Sequence, residues 1–269
     1  MELLIISTTL GALIGLILAV TGAGGASIAI PLLVLFLNIT LLEAAPIALL
    51  TIFMASAIGA LQGLILGTVR YKSALLIASV GTLIAPIGVK AATYTSNALL
   101  GATLCCVLLY LGIRTWLNAK RANINGAKKP EPACIINPET SRVVWTAPCT
   151  KMLTITGGVT GFLSGFLGVG GGFIIVPSLR RVSNFKHQTI TATTLAAVSM
   201  IALSSLISHM YSNNEVHWNI ALPLSISATI VMIFVSAIIS HKIPEHTSRK
   251  IFAMICLIAA ICLGMKNFI

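Results

Sequence analysis

Aspartate occurs nowhere in the 269 residues, and the only acids are Glu2, Glu43, Glu131, Glu139, Glu215 and Glu245. Without clustered carboxylates the chain offers no oxygen-rich metal centre. His187, His209, His217, His241 and His246 lie scattered along it and make no imidazole site either. The phosphate-binding pattern Gly-x-x-x-x-Gly-Lys-[Ser/Thr] is also missing, so ATP hydrolysis would have to come from another chain. None of the six cysteines, Cys105, Cys106, Cys134, Cys149, Cys256 and Cys262, has Cys-x-x-Cys spacing. They read as small buried side chains or reduced thiols, with no disulfide, metal or cofactor expected. Charge itself is scarce, at 9% of residues against roughly 25% in soluble domains.

Apolar residues fill that gap. They make up 57% of the chain, and the mean hydropathy is +1.01, which defines an integral membrane protein. A spanning helix needs about 20 mostly apolar residues. Such segments read at 3–21, 44–66, 73–90, 97–117, 151–168, 190–210, 219–240 and 250–268. Two further apolar pieces, 26–37 and 172–182, are short, since twelve helical residues rise only about 18 Å against a hydrocarbon core of roughly 30 Å. The polar stretch 118–150, with its Lys-Lys-Pro-Glu-Pro run, reads as a linker between a first transmembrane repeat, 1–117, and a second, 151–269.

The two halves carry one signature in one register. Gly15 to Pro31 (GLILAVTGAGGASIAIP) returns 146 positions later as Gly161 to Pro177 (GFLSGFLGVGGGFIIVP), and Leu49 with Leu195 and Met54 with Met200 keep the offset. Each half therefore predicts a hairpin of one long and one short helix around a glycine tip, followed by three spans. Five segments per half is an odd number, so the two repeats must be inverted relative to each other in the membrane. The fold class expected is all-α and polytopic, with two inverted-topology repeats.

Positive residues test this independently, because Lys and Arg are retained on the cytoplasmic side of short loops. With the linker inside and both termini outside, fifteen of the seventeen fall inside, and only Lys90 and Lys266 fall outside. The same distribution accounts for the net charge of +11. A nucleic-acid partner is not expected, since the linker lacks the aromatic interleaving of a base-stacking surface. The bilayer is the expected partner of the apolar body. An N-terminal signal peptide is not read either, because the first residues hold Glu2 and no cation, and the apparent cleavage region recurs in mid-chain.

A helix broken by Gly-x-Gly-Gly is tolerated in lipid only where it is buried in protein or lines a cavity. The helix that restarts after the break aims its unpaired N–H groups and positive dipole end at the tip. Glycine lets a ligand approach that backbone closely. Gly22, Gly24, Gly25, Gly168, Gly170, Gly171 and Gly172 are the candidate anion-binding residues, with the hydroxyls of Ser27, Thr193 and Thr194 beside them. No buried Lys or Arg is expected to share that task. His209, expected near the outer end of a span, is a candidate proton relay or a plain interfacial histidine. Gly11 and Gly15 read as helix-packing positions.

The second signature resembles that of the TauE/SafE family of bacterial membrane proteins, whose named members are regarded as exporters of sulfite and organosulfur anions. Ala192-Thr193-Thr194-Leu195 is close to that family's Ala-Thr-Ser-Leu, and Ser208-His209 and Val216-His217-Trp218 continue the likeness. The first half departs, with Ala26 in place of a third glycine and Ile47-Ala48-Leu49 in place of Thr-Ser-Leu. The resemblance implies a transporter of a small anionic substrate in the bacterial inner membrane. The alternatives are a non-transporting membrane subunit and an intramembrane enzyme.

Overall fold

The computed structural model describes residues 2–21, 25–124, 134, 146–183, 185, 187–212, 216–239 and 245–268. Its described residues form ten α-helices: α1 (Glu2–Thr21), α2 (Ala26–Leu37), α3 (Leu41–Ile65), α4 (Tyr71–Thr93), α5 (Asn97–Ile124), α6 (Ala147–Leu167), α7 (Gly172–Val182), α8 (His187–Tyr211), α9 (Trp218–Ile239) and α10 (Glu245–Phe268). Most of the linker, and Gly22 and Gly24 of the first tip, lie outside the described residues.

Helix ends follow local chemistry. Thr40 and Glu43 form a reciprocal capping box at the start of α3, with Thr40 N–H donating to Glu43 Oε2 at 2.8 Å and Glu43 N–H to Thr40 Oγ1 at 3.4 Å. Thr146 caps α6 by accepting from Cys149 N–H at 3.3 Å. Asn38 ends α2 in the left-handed region, at φ 54°, a conformation Asn tolerates better than most residues.

Among the described residues, six helices are long and apolar enough to cross a membrane: α1, α3, α4, α5, α8 and α9. The other two expected spans are weaker. In α6, Lys151 and the hydroxyls of Thr150, Thr154, Thr156, Thr160 and Ser164 dilute the apolar run. In α10 the apolar stretch is only Phe252–Lys266.

Packing pairs the halves by exchange: α1 lies on α9 as α6 lies on α4, while α3 faces α8 and α5 faces α10. Small residues make the first pair of contacts possible. A Cβ on Gly11 or Gly15 would strike α9 at Leu224 and Ala228, and one on Gly161 or Gly165 would strike α4 at Gly81 and Ala85. Along α3 and α8, Gly59 meets Leu195 and Gly63 meets Ala192, so the two run antiparallel. α5 and α10 do the same, with Cys105 at Ala260 and Gly112 at Leu257.

The expectation of unpaired cysteines is corrected. Cys134 and Cys149 are joined in a disulfide with Cα atoms 5.2 Å apart, inside the range such a bond requires. The cause is the parallel bridge of Cys134 with Ser183 at the end of α7, which holds Cys134 buried against Cys149 in the first turn of α6. Cys105, Cys106, Cys256 and Cys262 are free.

Candidate functional site

The second tip is built by Gly168, Gly170 and Gly171, all at positive φ, between 68° and 70°. L-residues avoid that region, so three left-handed positions in four residues require the glycine cluster. Gly168 closes α6, with its N–H on Ser164 O at 2.9 Å, and Gly171 opens α7. The tip is pressed into the protein interior. A Cβ on Gly168 would lie 2.5 Å from Ala45 Cβ, and one on Gly170 would lie 2.9 Å from Ile52 Cγ2 and 3.7 Å from Ala26 Cβ. Glycine here serves both backbone conformation and close approach. Leucine at 170 and 171 would disturb the fold of the tip before it disturbed any ligand.

By helix geometry the N–H groups of Gly172 and Phe173 have no intrahelical partner. The first bond of α7 is Ile174 N–H to Gly171 O, at 3.1 Å. Gly172 and Phe173 are buried, Phe173 within the apolar core, so the positive end of α7 faces the interior rather than water.

The described part of the first tip is built differently. Gly25 has φ −59°, an ordinary right-handed value, and its N–H donates to Thr21 Oγ1 at 3.0 Å. Ala26, Gly25's neighbour, has its Cβ 3.7 Å from where a Cβ of Gly170 would sit, so the start of α2 lies beside the second tip.

The candidate hydroxyls make contacts on three different elements. Ser27 is buried at the start of α2, with its Oγ 3.9 Å from Cys256 Sγ of α10. Thr193 accepts from Arg70 N–H at 3.0 Å and so holds the loop between α3 and α4. Thr194 donates back to Ile190 O at 2.8 Å within its own helix.

Two expectations change in place. His209 is not interfacial: it is 1% exposed, with Nε2 3.1 Å from Gly165 O. That contact ties α8 to α6 one turn from the tip. Arg180, at the end of the short helix α7, is half-buried with its Nε shielded from solvent, where no buried Lys or Arg is expected.

Sequence reasoning missed Thr160. It is fully buried, its Cγ2 packs against Gly171, and its Oγ1 makes no hydrogen bond. The available signal was the register, which sets Thr160 opposite Ile14 and repeats hydroxyls at Thr156, Thr160 and Ser164 on one face of α6. Thr156 Oγ1 donates to Met152 O at 2.7 Å, and Ser164 Oγ bonds Ser205 Oγ at 3.0 Å.

A family model described as Sulfite exporter TauE/SafE matches residues 7–263. The chain is 27% identical, over 96% of its length and 94% of the relative's, to a probable membrane transporter protein of Xylella fastidiosa strain Temecula1. It is 26% identical, over 82% of each chain, to the probable membrane transporter protein YunE of Bacillus subtilis. No solved structure matches the chain.

Proposed function

The chain belongs to the sulfite exporter TauE/SafE family, and from that membership we propose that it exports a small anion such as sulfite or an organosulfur anion. That it is a multi-pass membrane transporter, in a family of transporters rather than enzymes, follows from the family and from its six candidate spans. The anion is the proposal, and one observation carries it: the left-handed glycines of the second tip start α7 inside the protein, with its first N–H groups and its dipole end turned to a buried place.

The halves are placed in opposite orientation, with the linker cytoplasmic and both termini outside the bacterial inner membrane. The antiparallel packing of α3 on α8 and of α5 on α10 supports this, since equivalent helices that meet antiparallel are related by an axis across the helices. Discontinuous helices meeting between inverted repeats are a recurring plan of secondary transporters.

Purified protein in liposomes should move sulfite, sulfate or a small sulfonate down an imposed gradient, with a dependence on pH if protons are coupled. Vesicles holding folded protein but conducting none of the three would refute the anion reading and favour a subunit that needs a partner.

A further inference from the structure

Each short helix is held at its C-terminal end by the other half, through that half's fifth helix or the chain that follows it. At the end of α2, Lys266 of α10 donates from Nζ to Val34 O and to Asn38 Oδ1, each at 2.6 Å, a cation set on the last carbonyls of a helix. At the end of α7 the holding residue is Cys134, which follows α5 in the chain. It pairs in a parallel bridge with Ser183, the residue that caps α7, and is joined by the disulfide to Cys149 in the first turn of α6. Ser183 in turn closes the last turn of α7, donating to Leu179 O from N–H at 2.9 Å and from Oγ at 2.6 Å. One residue outside the α6–α7 hairpin therefore fastens both of its open ends. The closed end is the run of left-handed glycines, the backbone best able to turn as a hinge. The two holds differ in kind. Hydrogen bonds at α2 are indifferent to redox state, whereas the covalent hold at α7 opens on reduction. Cys134 and Cys149 are buried, but Ala147, Pro148 and Lys151 around Cys149 are exposed. The pair thus lies within one helical turn of the surface, at a helix end whose fraying admits a thiol.

Resting on the anion-transporter reading, we infer that Cys134–Cys149 is a redox latch on the second hairpin: oxidised, it fastens α7 to α6 and slows transport, and reduced, it frees α7 to move about the glycine tip. Movement of one element against a fixed neighbour is a step that sets the turnover of many such proteins. The chemistry is thiol–disulfide exchange. A dithiol gives two electrons and two protons to the pair: its own two S–H bonds give way to an internal S–S bond, and Cys134 and Cys149 return to thiols. A small disulfide runs the same exchange backward and closes the latch.

The test uses the full chain oxidised with glutathione disulfide, the same protein reduced with dithiothreitol, and the double variant Cys134→Ser/Cys149→Ser. On reduction, amide hydrogen exchange should quicken about tenfold or more in the first turn of α6 and the last turn of α7, and stay unchanged where α3 meets α8. In liposomes, movement of sulfite, sulfate or 2-aminoethanesulfonate should rise about threefold or more on reduction. The double variant should match the reduced protein and ignore dithiothreitol, which excludes the four other cysteines as the cause. A thiol count at the end of each run, four for the latched protein and six for the reduced one, establishes the state measured, since sulfite itself cleaves disulfides. Six thiols after oxidation, unchanged exchange, or measurable flux that reduction leaves unchanged each overturn the latch and leave the anion reading standing. No flux of any probe from either state overturns the anion reading and the control of transport with it, and the exchange contrast then decides alone whether the pair fastens the hairpin.

Discussion

Glycines in this protein do two kinds of work, and substitution separates them. Gly170 combines φ 69° with a wall at Ile52, so Gly170→Ala should lose about 1–3 kcal/mol from left-handed strain and crowding together. Gly264, in the interior of α10, has nothing within 4 Å of its missing Cβ and no positive φ. Alanine there should be neutral or stabilise by up to about 1 kcal/mol. Thermal unfolding of both variants in detergent checks the contrast, and equal effects would remove the special status of the tip. His209 belongs to the same scale. Replacing it by leucine strips Gly165 O of a buried donor and should cost about 1–3 kcal/mol, read by the same unfolding measurement. If His209 also relays protons, that variant should lose any pH dependence of flux as well. Neither Thr160's free hydroxyl nor the depth of His209 could be read from sequence, because each depends on which way one helix face turns against its neighbour.

At the scale of elements, the sequence reading and the structure agree closely for a physical reason. Apolar runs in lipid have to be helical, and Gly-Gly pairs, loop polar residues and the Thr40–Glu43 box mark where they stop. The expected five segments per half appear as α1 to α5 and α6 to α10. The linker escaped this logic, since a polar segment has no periodicity to read and fourteen residues between Cys134 and Cys149 carry no pairing signal. The disulfide makes a direct prediction: denatured without reductant, the protein should show four reactive thiols, and six after reduction. It also bears on sidedness. Disulfides persist mainly in oxidising compartments, whereas the proposed topology, read from the positive residues, has the linker in the cytoplasm. If the cytoplasmic placement holds, protein from cells quenched with a membrane-permeant thiol reagent should carry this pair reduced, and the bond should form on exposure to oxidant.

For the whole molecule, the exchange of packing partners between halves accompanies the placing of the start of α2 beside the second tip in the interior. Each half presents its long helix to the other half's fourth segment, α1 to α9 and α6 to α4, so neither half buries its small-residue stripes without the other. The likeness of the halves lies in the order of their helices and in the exchanged packing partners. Buried polar side chains differ between the halves: Thr160, Ser164, Ser205 and His209 stand in register with Ile14, Leu18, Gly59 and Gly63, and Thr21, Ser27, Thr51 and Ser56 in register with Leu167, Phe173, Ala197 and Ala202. The duplication was legible because glycine spacing survives in both copies, and this difference was not, because it lies in positions where the copies differ.

The central claim is that the two halves stand in opposite orientation around those tips, and single-cysteine labelling tests it most directly. Leu66 and Ser212 occupy equivalent, exposed positions at the ends of α3 and α8. In a background with the six native cysteines replaced by serine, Leu66→Cys and Ser212→Cys should react with a membrane-impermeant maleimide from opposite faces of the membrane, Ser212→Cys from outside in intact cells. Labelling of both from the same face would contradict the account.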